Sequence, residues 1–386
     1  MTKVQDVSLE ELIDIKHGFA FKSNFFQSEP SDYILLTPGN FNVNKTLYFG
    51  RNTKYYLGDI PSGYVLDNGD LLVVMTDLTK EMNILGNAVI LHSKKKVLHN
   101  QRIGKITIKD HQVISKEYLM YILNSDTVRK NIKATASGTT VRHTSPKKIL
   151  ELVIPLPPLL EQCRIAEVLG VWDESIDLLE KLIGKTRSRK QGLMQQLLTG
   201  KKRFKEFESS EYSMVKLSEV AKIRRGASPR PIQDPKWFAE KGRGWVRIRD
   251  VTASNTYLIE TTQYLSNLAV EKSVKVDPGD LIMSICATIG VPRIVGIPAC
   301  IHDGFVVFRE FEKYIDKFFL YHYINLISAK ISDSGQPGTQ KNINTTIVGN
   351  NEVPKFSLPE QEKIAAILST ADEEISTLEK QLAAYK

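Results

Sequence analysis

Residues 157–202 read PPLLEQCRIAEVLGVWDESIDLLEKLIGKTRSRKQGLMQQLLTGKK, and this stretch decides the fold. Its apolar residues recur at alternating steps of four and three, which is the seam pattern of a coiled coil. The leading prolines favour an extended chain, so the helix begins after them, and Thr199-Gly200 is a typical helix end. The pattern predicts one helix of about 40 residues, roughly 60 Å long, which a single globular domain does not require. The predicted seam residues are Ile165, Leu169, Trp172, Ile176, Leu179 and Ile183.

The same pattern occurs a second time, as LPEQEKIAAILSTADEEISTLEKQLAAYK over residues 358–386. Glu161-Gln162 has its counterpart in Glu360-Gln361, and the polar residues further along match in the same register. Two helices with matching seams in one chain can pair with each other. Two unrelated amphipathic core helices are the alternative, but they would not require the shared polar residues. The predicted seam residues of the second copy are Ile364, Leu368, Ile375, Leu378 and Leu382.

The composition favours a soluble protein that prefers a polyanion. The chain has 386 residues, enough for two or three domains, and carries 52 Lys and Arg against 44 Asp and Glu, a net charge of +8. No apolar run approaches the roughly 18 residues of a membrane span, and no signal peptide is present, so we expect a cytoplasmic location and no membrane partner. Three widely spaced cysteines, Cys163, Cys286 and Cys300, predict ordinary buried thiols rather than a disulfide framework or a zinc site.

Two globular segments of mixed α/β character alternate with the two long helices. The first contains four short apolar runs that favour strands, a predicted helix over residues 117–133 and a polar loop before the first long helix. The second repeats this plan, since Asn68-Gly69-Asp70 has its counterpart in Pro278-Gly279-Asp280. The predicted parts are residues 1–155, the first long helix with its tail at 156–205, residues 206–355, and the second long helix at 356–386.

No catalytic motif occurs in the sequence. A phosphate-binding glycine loop, a GxGxxG after a strand, an HExxH and a GxSxG are all missing. The seven histidines lie apart, without the spacing of metal ligands. Carboxylates such as Asp372-Glu373-Glu374 fall on the outer face of the helices, where solvated charge is the ordinary explanation. We therefore expect no catalysis by this chain alone, no metal site and no cofactor of its own.

Basic residues with polar and aromatic neighbours lie in loops of both globular segments. Lys and Arg neutralise phosphates, and Arg, Asn and Gln in loops can contact base edges. Each residue singly is more easily explained as solvated surface charge, but the set recurs in both segments and favours nucleic acid. Arg247 and Arg249 alternate with apolar residues, which predicts one face of a strand. The candidate DNA-binding residues are Lys22, Lys45, Arg51, Lys54, Lys95, Thr140, Arg142, His143, Arg224, Arg225, Arg230, Arg243, Arg247, Arg249, Gln340 and Lys341.

The chain as a whole resembles the specificity (S) subunits of type I restriction-modification systems. The resemblance rests on two variable α/β segments that each lead through a proline-rich exit into an EQxxIAxxL helix, with GLMQQLLTGKKRF closing the first helix. It implies an α+β fold in which two α/β target recognition domains alternate with two long helices. It further implies that the helices pair as an antiparallel coiled coil, in a pseudo-twofold internal repeat.

The same resemblance implies the partners. Each target recognition domain would read one half of a split, asymmetric double-stranded DNA sequence. The helices would set the spacing of the half-sites and bind two methyltransferase (M) subunits, with motor-nuclease (R) subunits in the full complex. S-adenosylmethionine, ATP and magnesium are expected on those partner subunits. Base-reading residues do not carry over, because the recognition domains differ between family members.

One departure from the family pattern concerns the second helix. Lys386 aligns with Arg187 of the first copy, so a counterpart of the closing GLMQQLLTGKKRF segment is missing, and either the chain is truncated or its second arm is shorter.

Two other classes of protein compete with the specificity subunit. A protein-protein adaptor would have flat or acidic heads, and a single-chain restriction or modification enzyme would need a nuclease or S-adenosylmethionine motif.

Overall fold

The computed structural model describes residues 4–333 and 343–386. The chain is a mixed α/β protein, and one of its helices, Leu159–Leu197, has 39 residues. The fold divides into two compact units, Met1–Glu174 and Ser175–Lys386, and the division falls within this helix. The helix begins directly after Pro158 and ends before Gly200, whose φ of 71° favours glycine. Both predicted limits of the first long helix are therefore confirmed.

The first unit combines short strands with short helices and the beginning of the long helix. Its strands are β1 (Gln5–Ser8), β2 (Ile13–His17), β3 (Phe26–Gln27), β4 (Tyr33–Leu36), β5 (Lys54–Tyr56), β6 (Val65–Leu66), β7 (Leu71–Val74), β8 (Thr76–Asp77), β9 (Ala88–Ile90), β10 (Lys96–His99), β11 (Ile103–Ile108), β12 (Arg142–His143) and β13 (Val153–Leu156). Its helices are α1 (Leu9–Leu12), α2 (Lys116–Leu123), α3 (Asp126–Ala134), α4 (Pro146–Leu150) and the long α5 (Leu159–Leu197), with 3-10 turns at Ser23–Phe25 and Pro38–Asn40.

Two sheets face each other in the first unit. One has the strand order β3-β5-β4-β10-β6, with β4 and β10 parallel, and the other has the order β2-β11-β7-β9. Strand β7 is buried on both faces, so its side chains alternate between two cores. Leu72 and Val74 pack towards the first sheet, whereas Leu71 and Val73 pack with helix α2 and with Ala166 of α5. The start of the long helix is thus part of this unit's core.

The second unit contains the remaining elements. Its strands are β14 (Ser213–Lys216), β15 (Lys222–Arg225), β16 (Phe238–Ala239), β17 (Arg243–Val246), β18 (Tyr257–Leu258), β19 (Tyr264–Leu265), β20 (Val274–Val276), β21 (Leu281–Ser284), β22 (Pro292–Val295), β23 (Ala299–Ile301), β24 (Phe305–Arg309) and β25 (Glu352–Lys355). Its helices are α6 (Leu217–Val220), α7 (Ile248–Ala253), α8 (Asn267–Val270), α9 (Lys317–Asp333), α10 (Thr345–Gly349) and α11 (Leu358–Tyr385), with 3-10 turns at Lys205–Phe207 and Pro235–Trp237.

The strand order of the second unit matches that of the first. One sheet runs β16-β19-β17-β23-β20, with β17 and β23 parallel, and the other runs β15-β24-β21-β22 with β18 added at its edge. Strand β21 alternates between two cores as β7 does, because Ile282 packs with one sheet while Leu281 and Met283 pack with helix α9. The last turn of α5 joins this second core through Leu197 and Leu198.

Each globular domain is closed by its own first and last strands. Strand β1 pairs antiparallel with β13, with Val7 opposite Ile154, and β14 pairs antiparallel with β25, with Val215 opposite Val353. The chain therefore arrives and departs at adjacent points in each domain. The long helix follows at once, since α5 begins three residues after β13 and α11 three residues after β25.

A buried glutamine holds the first turn of each long helix to its domain. Gln162 is fully buried; its Oε1 accepts from Ser115 N at 2.9 Å, and its Nε2 donates to Val113 O and Pro157 O. Gln361 is also fully buried and has the same arrangement, accepting from Asp316 N at 2.9 Å and donating to Tyr314 O and Phe356 O, both at 2.8 Å. Each side chain satisfies three backbone groups that the fold has removed from water.

Two local predictions differ from the structure. The predicted helix over 117–133 is two helices, because the Asn124 side chain exchanges two hydrogen bonds with Ala88 of β9 and Ser125 then caps α3. Cys163 is exposed and Cys286 is half-buried, so only Cys300 is a buried thiol. The four predicted strands of the first domain are confirmed as β4, β7, β9 and β11.

Replacement of Gln361 by alanine is expected to lower the free energy of unfolding by about 2–4 kcal/mol, because one backbone N–H and two backbone carbonyls lose their buried partner. Urea unfolding followed by tryptophan fluorescence measures this, since Trp237 and Trp245 are both buried in the second unit. Gln381→Ala, an exposed position on α11, is the matched control and should change stability by less than about 0.5 kcal/mol. A Gln361→Ala protein as stable as the control would contradict the role assigned to this side chain.

Acid is expected to destabilise the second unit through His322. This residue is fully buried on α9, and burial, with a smaller effect of Lys190, lowers the pKa of His322 to about 3. The unfolded chain binds a proton near pH 6.5 whereas the folded chain does not, so the free energy of unfolding falls as the pH drops below about 6.5. At pH 5 the loss is about 2 kcal/mol.

Urea titrations at pH 7.5 and pH 5 test this contribution. His322→Gln should reduce the difference in stability between the two pH values by about that amount. His111→Gln, at an exposed position, should retain the difference found in the unsubstituted protein. An identical pH dependence in all three proteins would rule out His322 as the titrating group.

Candidate nucleic-acid interface

The predicted lysines and arginine of the first unit lie at its surface. Lys45 has a φ of 64° and sits at the tip of a turn closed by Lys45 N to Asn42 O at 3.1 Å. Lys54 belongs to β5, and its Nζ donates to Ser28 Oγ at 3.3 Å. The exposed members of the predicted set in this part of the chain are Lys22, Lys45, Arg51, Lys54 and Lys95.

Cations lie over tyrosine rings in the same unit. Lys95 Nζ is 5.8 Å from the centroid of the Tyr55 ring, and Lys16 Nζ is 4.4 Å from that of Tyr64. Lys16 is not among the predicted site residues, although its place on the polar side of β2 could have indicated it. A surface with lysines beside aromatic rings suits a nucleic-acid backbone and its bases.

The predicted loop residues Thr140, Arg142 and His143 belong to a tight hairpin. Ser137 and His143 exchange two backbone hydrogen bonds of 2.9 Å, and Gly138 has a φ of 93° with no room for a Cβ beside Val141 O. Arg142 donates from Nη1 to Gly138 O at 2.7 Å, and His143 Nδ1 lies 3.0 Å from Thr76 Oγ1. The hairpin therefore presents Thr140, which is exposed, while Arg142 supports the turn.

In the second unit, two predicted arginines surround Asp303. Arg225 donates from Nε to the Asp303 carbonyl at 2.7 Å, and Arg230 lies 3.3 Å from its carboxylate. The Ser228 hydroxyl donates to the same carboxylate at 2.6 Å and is the main reason why the pKa of Asp303 is lowered. Two arginines against one carboxylate leave a net positive surface, to which the exposed Arg224 of β15 adds.

Arg243 is held within its own domain. Its guanidinium donates to Ala299 O at 3.1 Å and to Val276 O at 3.0 Å, and it pairs with Asp277. These contacts join β17 to the neighbouring strand β23 and to the end of β20. Arg243 therefore has a structural role in the described fold, which sequence position alone did not indicate.

The prediction that Arg247 and Arg249 share one face of a strand is wrong. Strand β17 ends at Val246, and Arg249 lies in helix α7, because Asp250 Oδ2 accepts from Arg247 N at 2.9 Å and starts a helical turn. Both arginines nevertheless line one open cavity of about 440 Å³. Gln263 and His302, which were not predicted, line it too. The remaining predicted residues, Gln340 and Lys341, lie outside the described residues.

Charged side chains of α5 and its tail pair with α11 in opposite chain order. As the residue number rises along the first segment, the number of its partner falls along the second. The pairs are Glu180 with Lys386 (2.6 Å), Arg187 with Glu379 (2.5 Å), Lys190 with Asp372, and Arg203 with Glu360.

Arg203 and Glu360 form a buried bidentate pair. Nε donates to Oε1 at 2.5 Å and Nη2 to Oε2 at 2.6 Å, while the Glu360 side chain is 1% exposed. The bond to Glu360 raises the pKa of Arg203. The guanidinium also lies 5.0 Å from the Phe356 ring centroid. Loss of either partner would leave the other charge buried and unpaired.

The predicted seam residues occupy three kinds of environment. Ile165 packs against the core of the first unit, and Ile364 and Leu368 belong to the core of the second. Leu169 and Trp172 are exposed, by 39% and 47%. Ile183 is buried, whereas the seam residues that are half-buried on α5 or α11 are Ile176, Leu179, Ile375, Leu378 and Leu382.

Helix α5 carries further exposed apolar side chains. Val168, Val171 and Leu178 are each more than half exposed, and Leu182 is 44% exposed. Together with Leu169 and Trp172 they form an apolar stretch, here called the α5 apolar surface. Exposed apolar side chains that recur along one helix are typical of a surface that binds another protein.

Residues 4–333 and 343–386 contain no group of three or more His, Cys, Asp or Glu side chains that could hold a metal ion. None of the described helices is long and apolar enough to cross a membrane.

The sequence matches a known family in two places. The sequence pattern of the type I restriction modification DNA specificity domain family matches residues 1–185 and again residues 209–384. The chain is 25% identical over 400 residues to the type I restriction enzyme EcoBI specificity subunit of Escherichia coli, covering 97% of this chain and 81% of that protein. It is 26% identical over 352 residues to the MjaVIII specificity subunit of Methanocaldococcus jannaschii, covering 86% and 80%.

Solved structures have the same fold. The S subunit of a type I restriction-modification system from M. genitalium superimposes with a TM-score of 0.66 at 18% identity, covering 99% of this chain and 93% of that one. A chain from a structure of type I restriction-modification complex assembly gives a TM-score of 0.57 at 18% identity, covering 100% and 94%.

The chain belongs to the type I restriction-modification DNA specificity domain family, because the family matches most of its length. It is accordingly a specificity subunit, which recognises DNA sequence and acts with partner subunits of the restriction-modification system. The resemblance found in the sequence is confirmed. The relatives named above are likewise specificity subunits.

Replacement of Arg142 or Arg225 by alanine is expected to weaken DNA binding, because each removes a cation and loosens a loop. If the side chain contacts a phosphate, the slope of log affinity against log salt should fall by about 1. Both effects can be measured by fluorescence anisotropy with a DNA duplex, at salt concentrations from about 50 to about 200 mM. Lys185→Ala, on the exposed side of α5, is the charge-matched control. Unchanged affinity and slope for both variants would remove these residues from the interface.

Proposed function

We propose that each globular domain reads one half of a bipartite, asymmetric double-stranded DNA target. Residues 1–155 are the first target recognition domain and residues 206–355 the second. Among the candidate DNA-binding residues named above, the exposed lysines and arginines of both domains would contact the DNA backbone. The chain itself supplies recognition and no catalysis.

The double family match carries this proposal. A DNA specificity domain that occurs twice in one chain gives two readers of DNA. The two domains share their strand order but differ in loop sequence, which favours two different half-sites and hence an asymmetric target. A basic surface in each domain supports contact with the DNA backbone.

The two long helices, within residues 156–205 and 356–386, are proposed to pair as an antiparallel coiled coil that separates the two domains. The ion pairs between α5 and α11 support this pairing, because their order is that of antiparallel chains. The matching registers of Ile165 and Ile364 support a pseudo-twofold repeat. A rod of fixed length between two readers would set the spacing of the half-sites.

Two methyltransferase subunits are proposed to bind the helices, and motor-nuclease subunits to join them in the full complex. The α5 apolar surface supports a protein partner on this helix. An internal repeat presents similar surfaces twice, which suits two copies of one partner. S-adenosylmethionine, ATP and magnesium belong to those subunits, and the complex acts on DNA in the cytoplasm.

Co-expression with the methyltransferase subunit tests the proposal directly. The complex is purified, and the adenine methylation that it leaves on plasmid DNA is sequenced. A split, asymmetric methylated motif is the expected result. A complex that forms but leaves no split motif would contradict bipartite reading, and failure to form any complex would contradict the proposed binding of methyltransferase subunits to the helices.

A heptad inserted after Glu174 is expected to change the spacing of the target and leave both half-sites unchanged. Seven residues lengthen a helix by roughly 10 Å, or about three base pairs of DNA, and keep the seam in register. The insertion point precedes the part of α5 that forms ion pairs with α11 and its end, which begins at Glu180. Methylation sequencing gives the new motif, and altered half-site bases would contradict the spacing role of the helix.

A further inference from the structure

The parallel strand pair at the centre of each domain ends in the same backbone arrangement. In the first domain Leu36 of β4 lies opposite His99 of β10, and in the second Val246 of β17 lies opposite Ile301 of β23. The next residue begins a turn in both cases. Thr37 N donates to Asn40 Oδ1 at 2.9 Å, and Arg247 N donates to Asp250 Oδ2 at 2.9 Å. Thr37 and Arg247 therefore occupy equivalent positions.

Two further positions correspond in the same way. Asn100 and His302 each follow the second strand of the pair, and a Cβ on Gly18 or on Gly226 would lie 2.1 Å from the carbonyl oxygen of Asn100 or of His302, respectively. Lys54 lies opposite Leu35 of β4, and Gln263 accepts the backbone hydrogen bond of Trp245 on β17 at 2.8 Å. The strand pairing and the first hydrogen bond of the turn therefore correspond at these positions in both domains.

The side chains at the equivalent positions have different chemistry. The first domain places Thr37, Gly39, Lys54 and Asn100 there. The second domain places Arg247, Arg249, Gln263 and His302 there. The shared strand pairing does not account for these exchanges, because it uses backbone groups alone. A difference of side chains on a common frame is what two readers of different base sequences require.

The set in the second domain lines the open cavity of about 440 Å³. The Arg247 guanidinium forms no ion pair with any residue that the structure describes. Gln263 Oε1 is buried without a hydrogen-bond partner among those residues. The carboxylate of Asp250 is already used, because it accepts from Arg247 N and from the Thr262 hydroxyl. Hydrogen-bonding capacity therefore remains unused at this site.

His302 adds a neutral donor. Its Nδ1 accepts from Gly304 N at 2.9 Å, which assigns the ring proton to Nε2. Burial, followed by the charge of Arg247, lowers the pKa of His302 to about 4. The ring is consequently neutral at pH 7, and Nε2–H can donate to a base or a phosphate oxygen.

We propose that Arg247, together with Gln263 and His302, reads a guanine in the half-site of the second domain, with the Arg247 guanidinium donating to O6 and N7 of the base. Guanine offers two acceptors on its major-groove edge, and the arginine fork matches both. Cytosine presents its N4 amino donor on this edge, which the Arg247 guanidinium, a donor only, does not complement. This inference rests on the proposed function of the two domains.

Methylation sequencing of the complex with its methyltransferase subunits tests the inference. Arg247→Ala is expected to relax one G·C position of a single half-site, with discrimination falling roughly 5- to 150-fold. Arg247→Lys keeps the charge but loses the fork, so it should retain DNA affinity and still lose discrimination at that position. Thr37→Val, at the equivalent position of the first domain, should alter only the other half-site.

Arg224→Ala is the matched control, because Arg224 is an exposed arginine of the same domain outside the cavity. It should weaken methylation of all sequences alike and leave the motif unchanged. If both Arg247→Ala and Arg247→Lys leave the methylated motif unaltered, the inference is overturned while the proposed function stands. The same holds if Arg247→Ala lowers methylation of all sequences equally and Arg247→Lys does not lower it. If the unsubstituted complex leaves no bipartite motif, the proposed function fails first and the inference fails with it.

Discussion

A single buried amide group connects each globular domain to the helix that follows it. At Gln162 and at Gln361 the side chain bonds to the turn before a domain helix and to the extended residues that precede the long helix. A flexible junction would let the helix swing relative to the domain. Because every polar atom of the amide is used and water is excluded, the direction of the helix is fixed by hydrogen bonds at its first turn. The orientation of each domain relative to the first turn of its long helix depends on this contact.

The long helices could be predicted from the sequence because their signal is local. Apolar periodicity, the preceding prolines and Gly200 all lie within one stretch of chain. The positions proposed to read bases could not be found in this way, since Thr37, Lys54 and Asn100 are brought together only by the pairing of β4 with β5 and β10. Residue type alone selected Arg247 and Arg243 together, but their surroundings give them different roles. Arg243 bonds to two strand carbonyls, whereas Arg247 lines an open cavity.

Residues that match between the two sequence copies do not all have the same surroundings in the structure. Glu161 is exposed, whereas its counterpart Glu360 is buried against Arg203 of the α5 tail. Gln162 and Gln361, by contrast, have the same hydrogen bonds in both copies. The hydrogen bonds of the glutamine thus depend on residues within its own domain. The burial of Glu360 depends instead on the α5 tail, which is distant from it in the chain. Matching sequence registers predict the first kind of contact better than the second.

The pairing of β1 with β13, and of β14 with β25, has a consequence for how such chains can change over evolutionary time. Strands β1 and β13 lie side by side, with Ser8 opposite Val153, so the residues between them begin and end at neighbouring points. Insertions or deletions inside that segment change its interior without shifting the first residue of the helix. Sequence drift in the globular segments is therefore separated from the length of the long helices, and each can be altered by selection while the other is retained.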